Sequence, residues 1–118
     1  FIGYTPVFGG FTATSITATS MFSVRGRLCH YSVKLSNNGT SNAATVSVSL
    51  PITSNSSYGV AEGACFYAIN GGTILTTPAK WMIAVGGTNA TFNTDMGTSS
   101  TWGTTGTKLV DFIADYYI

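Results

Sequence analysis

FSVRGRLCHYSVKLSNNGTSNAATVSVSLPI, residues 22–52, decides the fold. Along 27–35, Cys29, Tyr31, Val33 and Leu35 share one face of an extended chain, while Leu28, His30, Ser32 and Lys34 share the other. Successive side chains of a strand point to opposite faces, so the first set is expected to face a core. The second set, His30 included, is expected to face solvent. Residues 44–50 repeat the pattern, with Val46, Val48 and Leu50 inward and Thr45, Ser47 and Ser49 outward. Strict alternation suits a half-buried strand and not a helix. Gly26 separates 20–25 from 27–35 and predicts a tight antiparallel turn. A Ser/Asn/Gly/Ala loop joins the second strand to the third, which Pro51 stops because it has no N–H to donate.

Working outward, residues 1–8 read as an opening strand that Pro6 places at an edge or bulge. Residues 11–19 read as a short strand or an extended arm, and 53–58 as a polar loop. Residues 60–70 read as one long strand ending at Asn70-Gly71-Gly72. Asn-Gly is a favoured type I′ pair, so 73–77 should return as its hairpin partner. Trp81, Ile83 and Val85 alternate in the next strand, and 90–95 form another. The Gly/Ser/Thr loop 97–106 holds Trp102. In the closing strand, 107–118, Val110, Phe112, Ala114 and Tyr116 share one face. Leu109, Asp111, Ile113, Asp115 and Tyr117 share the other, an apolar and acidic mixture expected to meet a neighbour in part. Short strands at regular spacing with glycine-rich turns predict an all-β fold, a single antiparallel, jelly-roll-like β-sandwich.

Composition narrows the function. The chain has 118 residues, enough for one core, and only 8% are charged, with a net charge of +1. A nucleic-acid module needs a basic stripe to neutralise phosphates, and Arg25, Arg27, Lys34, Lys80 and Lys108 are scattered. With 44% hydrophobic residues, disorder is excluded. No apolar run reaches the length of about eighteen residues that a membrane span needs. Polarity comes from Ser, Thr and Asn, which suit a surface that meets sugars or other neutral polymers outside a cell. The chain opens Phe-Ile-Gly-Tyr with neither an initiator Met nor a signal peptide, as expected of a processed product or a piece of a longer chain.

Candidate chemistry is sparse. A Ser-His-Asp triad would have to use His30, the single histidine, and no Gly-x-Ser-x-Gly elbow occurs. The four acids are Glu62, Asp95, Asp111 and Asp115. Asp111 and Asp115 lie four apart on one strand face, which reads as an exposed or interface pair and not as the acid and base of a glycosidase. Asn93 and Asp95 are thin as calcium ligands, because loop Asn and Asp usually serve their own turns. Cys29 and Cys65 lack further ligands at zinc spacing. A bridge between them suits an oxidising compartment. Two buried free thiols are the favoured reading, since a domain of this size holds without a staple. No catalytic residue, metal or cofactor is expected. Sugar binding calls for aromatic faces with a few placed polar groups. Trp102 is the first candidate and Tyr58 the second, with Asn55, Asn89 and Asn93 as hydrogen-bonding partners; a core plug under its loop is the competing reading of Trp102. Asn38, Asn55 and Asn89 also begin Asn-x-Ser/Thr sequons, which a chain so rich in these residues produces by chance.

The order of certain motifs is more specific than any one of them. Tyr4-Thr5-Pro6 is followed by an aromatic strand running into Arg25-Gly26, then Gly39-Thr40-Ser41, then Ser49-Leu50-Pro51, and finally Trp102-Gly103 with Tyr116 in the last strand. Together these resemble the β-sandwich head domains of bacteriophage tail fibres, tailspikes and related virion surface proteins. The pattern would place a Trp shortly before Tyr-x-Pro, where this chain has Phe1 and Ile2. The resemblance implies a non-enzymatic virion surface domain, often a homotrimer, that attaches to a host-cell glycan. One alternative is a capsid decoration or head-fibre protein contacting other virion subunits. Another is an extracellular filament subunit or carbohydrate-binding module, in which 1–19 would leave its own domain to pair with the next subunit. Exposure of Trp102 and Tyr58 together would favour the glycan reading, and their burial the structural one.

Overall fold

The computed structural model describes residues 1–12, 16–97 and 101–118. Its strands are β1 Ile2–Gly3, β2 Phe8–Gly9, β3 Ala18–Arg25, β4 Leu28–Leu35, β5 Gly39–Thr40 and β6 Ser47–Ser49. After them come β7 Ala61–Ala64, β8 Tyr67–Asn70, β9 Thr73–Ile74, β10 Lys80–Ile83, β11 Asn89–Asn93 and β12 Thr107–Tyr117. The seven-stranded sheet runs β1-β3-β4-β12-β8-β9, with β5 also on β12. The five-stranded sheet runs β2-β6-β11-β10-β7. All pairings between these strands are antiparallel, and the two sheets form a β-sandwich.

The alternating residues build the core as the pleat requires. Cys29, Tyr31 and Val33 on β4 and Val110, Phe112 and Ala114 on β12 are fully buried. Val46, Val48 and Leu50 face them from the other sheet with Ile83, Ala90 and Phe92. Phe92 and Phe112 meet between the sheets edge to face, 4.9 Å between centroids, and Phe112 meets Tyr31 at 5.8 Å. A phenol buried this deeply needs an acceptor. Three tyrosines find theirs on the segment that leaves β6 at Pro51. Tyr31 donates to the Ser49 carbonyl (3.1 Å), Tyr4 to that of Leu50 (3.0 Å) and Tyr116 to that of Ile52 (2.8 Å). Each bond ties one sheet to the other, so the polar tips fix the register of the two layers.

Several expectations change. Residues 1–8 are not one strand: β1 joins β3 in one sheet and β2 joins β6 in the other, with Pro6 between. Residues 60–70 split likewise. β7 pairs β10 and β8 pairs β12, and the chain crosses between sheets at the buried Cys65 and exposed Phe66. The β8–β9 turn centres on Gly71-Gly72, both at positive φ (61° and 82°), one residue beyond the expected Asn-Gly pair. Gly26, at φ 60°, opens the two-residue β3–β4 loop as expected, because the left-handed region is costly for other residues. β10 ends at Ile83, so Val85 lies exposed in the following turn. The first nineteen residues pair, where described, within their own domain. The expected arm over 11–19 includes residues 13–15, and the loop 97–106 includes 98–100; both triplets lie outside the described residues. Cys29 and Cys65 are both free and buried.

Two charged side chains of β12 are buried, Asp111 against its place in the alternation and Lys108 in keeping with it. Asp111 belongs to the outer face but is buried, and its Oδ1 accepts the Leu35 N–H at 2.8 Å. Of the pair expected to be exposed or at an interface, Asp111 is therefore not exposed, while Asp115 is. β12 leaves β4 beyond Val33 and takes up β5 at Gly39, and the carboxylate caps the backbone donor in between. Lys108 faces the core and has no solvent exposure. Its Nζ donates to the carbonyls of Ala43 (2.8 Å) and Thr45 (2.9 Å) and lies 5.1 Å from the Phe11 ring centroid.

Candidate binding cleft

Two stacked rings mark the site. Tyr117 ends β12 on the outer side of the seven-stranded sheet, and Tyr58 comes from the loop after β6. Their centroids are 4.7 Å apart with 29° between planes, and both are about half exposed. Backbone bonds hold the loop against the strand: the Asn55 N–H donates to the Tyr117 carbonyl (2.8 Å) and that of Gly86 to the Asn55 carbonyl (3.2 Å). Ser54 Oγ donates to the Ala84 carbonyl (2.6 Å) and accepts from the Gly87 N–H (2.8 Å), fixing the loop base to the β10–β11 turn. The loop is thus held at Ser54 and Asn55 ahead of Tyr58, and β7 takes up the chain at Ala61 beyond it.

Beside the rings is a cleft of about 280 Å³. Its walls include Asn55, Val60, Ile83, Asp115 and Tyr116 as well as the two rings. Asn55 Oδ1 accepts the Ser57 N–H at 2.7 Å, an Asx turn that holds the side chain. Among the described residues its Nδ2 has no acceptor. Asp115 is paired in register with His30, whose Nδ1 lies 2.6 Å from its Oδ1. Burial and the neighbouring Cys29 push the Tyr116 phenol well above its ordinary value, so it stays neutral. Arg27, in the β3–β4 turn, holds its guanidinium carbon 5.9 Å from the Tyr58 centroid and donates from Nε to the Ile118 carbonyl at 3.2 Å. The cleft combines apolar ring area with a few oriented polar groups, the arrangement that takes a small polar ligand.

Of the residues singled out from sequence, Tyr58 and Asn55 meet here. Trp102 does not. It is buried, and its Nε1 donates to the Phe92 carbonyl at 3.0 Å, so it plugs the core under its loop. Asn89 and Asn93 stand at opposite ends of β11 and do not line the cleft. Asn93 Nδ2 donates to the Gly97 carbonyl (3.0 Å) and Asp95 Oδ1 accepts the Gly97 N–H (2.7 Å), serving their own turn. Among the described residues no three His, Cys, Asp or Glu gather as metal ligands.

Neither a family model, nor a curated protein, nor a solved structure matches this chain. Function therefore rests on the chemistry of the cleft. Sequence reading missed Tyr117 and Asp115 as members, and Arg27 as a neighbour of the Tyr58 ring. Alternation does place Tyr117 outward, but its partner arrives from a distant loop. The Asp115–His30 pairing depends on register between strands far apart in the chain. In register, Ser23, His30 and Asp115 form one row across β3, β4 and β12. The row has the composition of a triad, yet it lies on an open sheet face, and no Ser23–His30 hydrogen bond occurs among the described residues.

Proposed function

We propose that this domain is a non-enzymatic surface module of a bacteriophage virion, in a tail fibre or receptor-binding tip, that attaches to host-cell surface glycan. The observation that carries the binding half is the Tyr58–Tyr117 pair, open to solvent over a cleft walled by Asn55 and Asp115. Sugar rings present C–H faces to aromatic rings and hydroxyls to amide and carboxylate groups. The cleft supplies both, and the braced loop limits the ordering entropy that binding would cost. The virion setting rests on the motif order from Tyr4 to Tyr116 and on the uncharged Ser/Thr/Asn surface.

The test is binding of a glycan panel to the protein and to Tyr117→Ala and Tyr58→Ala. Loss of each ring should weaken binding at least tenfold, with the thermal midpoint little changed because both rings are half exposed. Absence of glycan binding, or binding indifferent to both substitutions, would overturn the reading.

A structural role as a capsid decoration or head-fibre protein has its own support. Met21 and Ile113 flank Ser32 in one cross-strand row on the outer face of the seven-stranded sheet, and each is more than a third exposed. Such a face suits contact with a neighbouring subunit, in a homotrimer or with other virion proteins. Met21→Lys with Ile113→Lys should then dissociate the assembly in solution while leaving glycan binding intact.

A further inference from the structure

The ligand that this cleft prefers is written in how the fold sorts its charges. The sequence carries five cationic side chains and four acids, nearly balanced. Folding keeps that balance on the surface but sorts it: three cations and three acids stay exposed, and the three cations share one hairpin. Lys108 is wholly buried on two carbonyls, and Lys80 is buried with its Nζ 3.7 Å from the exposed Glu62 carboxylate. Asp111 is buried on the Leu35 N–H, while Glu62, Asp95 and Asp115 stay exposed, Asp115 beside His30. The exposed cations are Arg25, Arg27 and Lys34, all on the β3–β4 hairpin. Two of them flank Gly26 at its tip.

That tip adjoins the aromatic pair. Arg25, Leu28 and Tyr117 stand side by side in one register row across β3, β4 and β12. Arg27 reaches over the Tyr58 ring, anchored through Nε to the Ile118 carbonyl. Among the described residues its Nη groups make no hydrogen bond, so they stand free beside the Tyr58 ring, next to the residues that line the cleft. The one carboxylate in the cleft wall, Asp115, lies two residues further along the strands, about 7 Å from this row, and its Oδ1 already faces His30. A planar guanidinium with free Nη donors beside a stacking surface matches a sugar that carries an anionic group, through the two-pronged bond that Arg makes to carboxylate or phosphate.

Resting on the glycan reading above, we infer that the cleft selects anionic saccharides, with the ring against Tyr58 and Tyr117 and the anionic group on Arg27. The anion is a carboxylate, as in a uronic acid unit, or a phosphate, as in a phosphodiester-linked sugar. The experiment is titration calorimetry of the full chain with three oligosaccharides of equal length, one neutral, one uronate-containing and one phosphodiester-linked. One or both anionic arms should bind at least tenfold more tightly than the neutral arm, and that preference should shrink as salt is raised from 50 mM to about 500 mM. Arg27→Gln should abolish the preference, bringing the anionic arms down to the affinity of the neutral arm for the same variant, and Arg27→Lys should restore only part of it. Tyr117→Ala should lower affinity in every arm. Equal affinity across the arms, or a preference unaffected by Arg27→Gln, refutes the anion assignment and leaves the glycan reading standing. Failure of all three sugars to bind refutes both.

Discussion

Replacing Lys108 by methionine tests how a nearly uncharged domain uses a buried ammonium. The side chain has no solvent exposure, and its Nζ is bonded to the Ala43 and Thr45 carbonyls at 2.8 and 2.9 Å above the Phe11 ring. These carbonyls belong to the loop that carries the chain from β5 to β6, so the ammonium fastens that crossing to the centre of the other sheet. Methionine matches the length and removes both donors. Each charge-assisted bond contributes about 1.5–3 kcal/mol, and the carbonyls left behind are part-buried. Against this stands relief of a desolvated charge; burial alone lowers the Lys108 pKa. With two bonds lost and one desolvation relieved, Lys108→Met should destabilise by about 2–3 kcal/mol. At roughly 4 °C per kcal/mol for a domain of this size, the midpoint should fall by about 8–12 °C. Urea unfolding followed by fluorescence of the buried Trp81 and Trp102 reads this directly. A methionine variant as stable as the parent would mean that desolvation outweighs both bonds, and the fastening role would be wrong.

Three further outcomes follow from the same geometry. Asp111→Asn keeps an acceptor for the Leu35 N–H and removes a charge whose pKa burial raises, so stability at pH 7 should be unchanged or about 1 kcal/mol higher. Asp111→Ala should cost about 1–3 kcal/mol by leaving that donor unpaired, and equal midpoints for the two variants would refute the capping role. Trp102→Ala should cost about 3–5 kcal/mol as a core truncation, while affinity for sugar stays the same in calorimetry; selective loss of affinity would return Trp102 to the site. Burial raises the pKa of four neutral groups, Cys29, Cys65 (to about 12), Tyr31 and Tyr116. A raised folded value means stability is full below the unfolded pKa and is lost as pH climbs through the window above it. Lys108, with its lowered value, acts the other way as pH approaches 10.5, but it is one group against four. Thermal midpoints should therefore fall from about pH 9 upward, and a midpoint flat or rising to pH 11 would contradict the burial of these side chains.

The strand pattern was legible because alternation is a local consequence of the pleat. Val46, Val48 and Leu50, or Cys29 through Leu35, declare their inward face whatever strand lies beside them. The β3–β4 turn was legible for a similar reason, since Gly26 is needed by the turn itself. Where the reading failed, a non-local partner decided. Residues 60–70 contain no turn signal strong enough to announce that the chain changes sheets at Cys65. Asp111 follows the outer-face alternation and is buried only because β12 changes neighbour from β4 to β5 beside it. Trp102 in a Gly/Ser/Thr loop looks the same whether it points out or in, until Phe92 supplies an acceptor beneath it.

By itself, the sequence determined an antiparallel sandwich with a Ser/Thr/Asn exterior, because side-chain period and turn chemistry act over a few residues. Only the tertiary structure decided that Tyr58 meets Tyr117, that His30 meets Asp115, and that the hairpin tip carrying Arg25 and Arg27 lies beside the two rings. Those meetings depend on register and on sheet crossings, which are settled by the packing of the whole core.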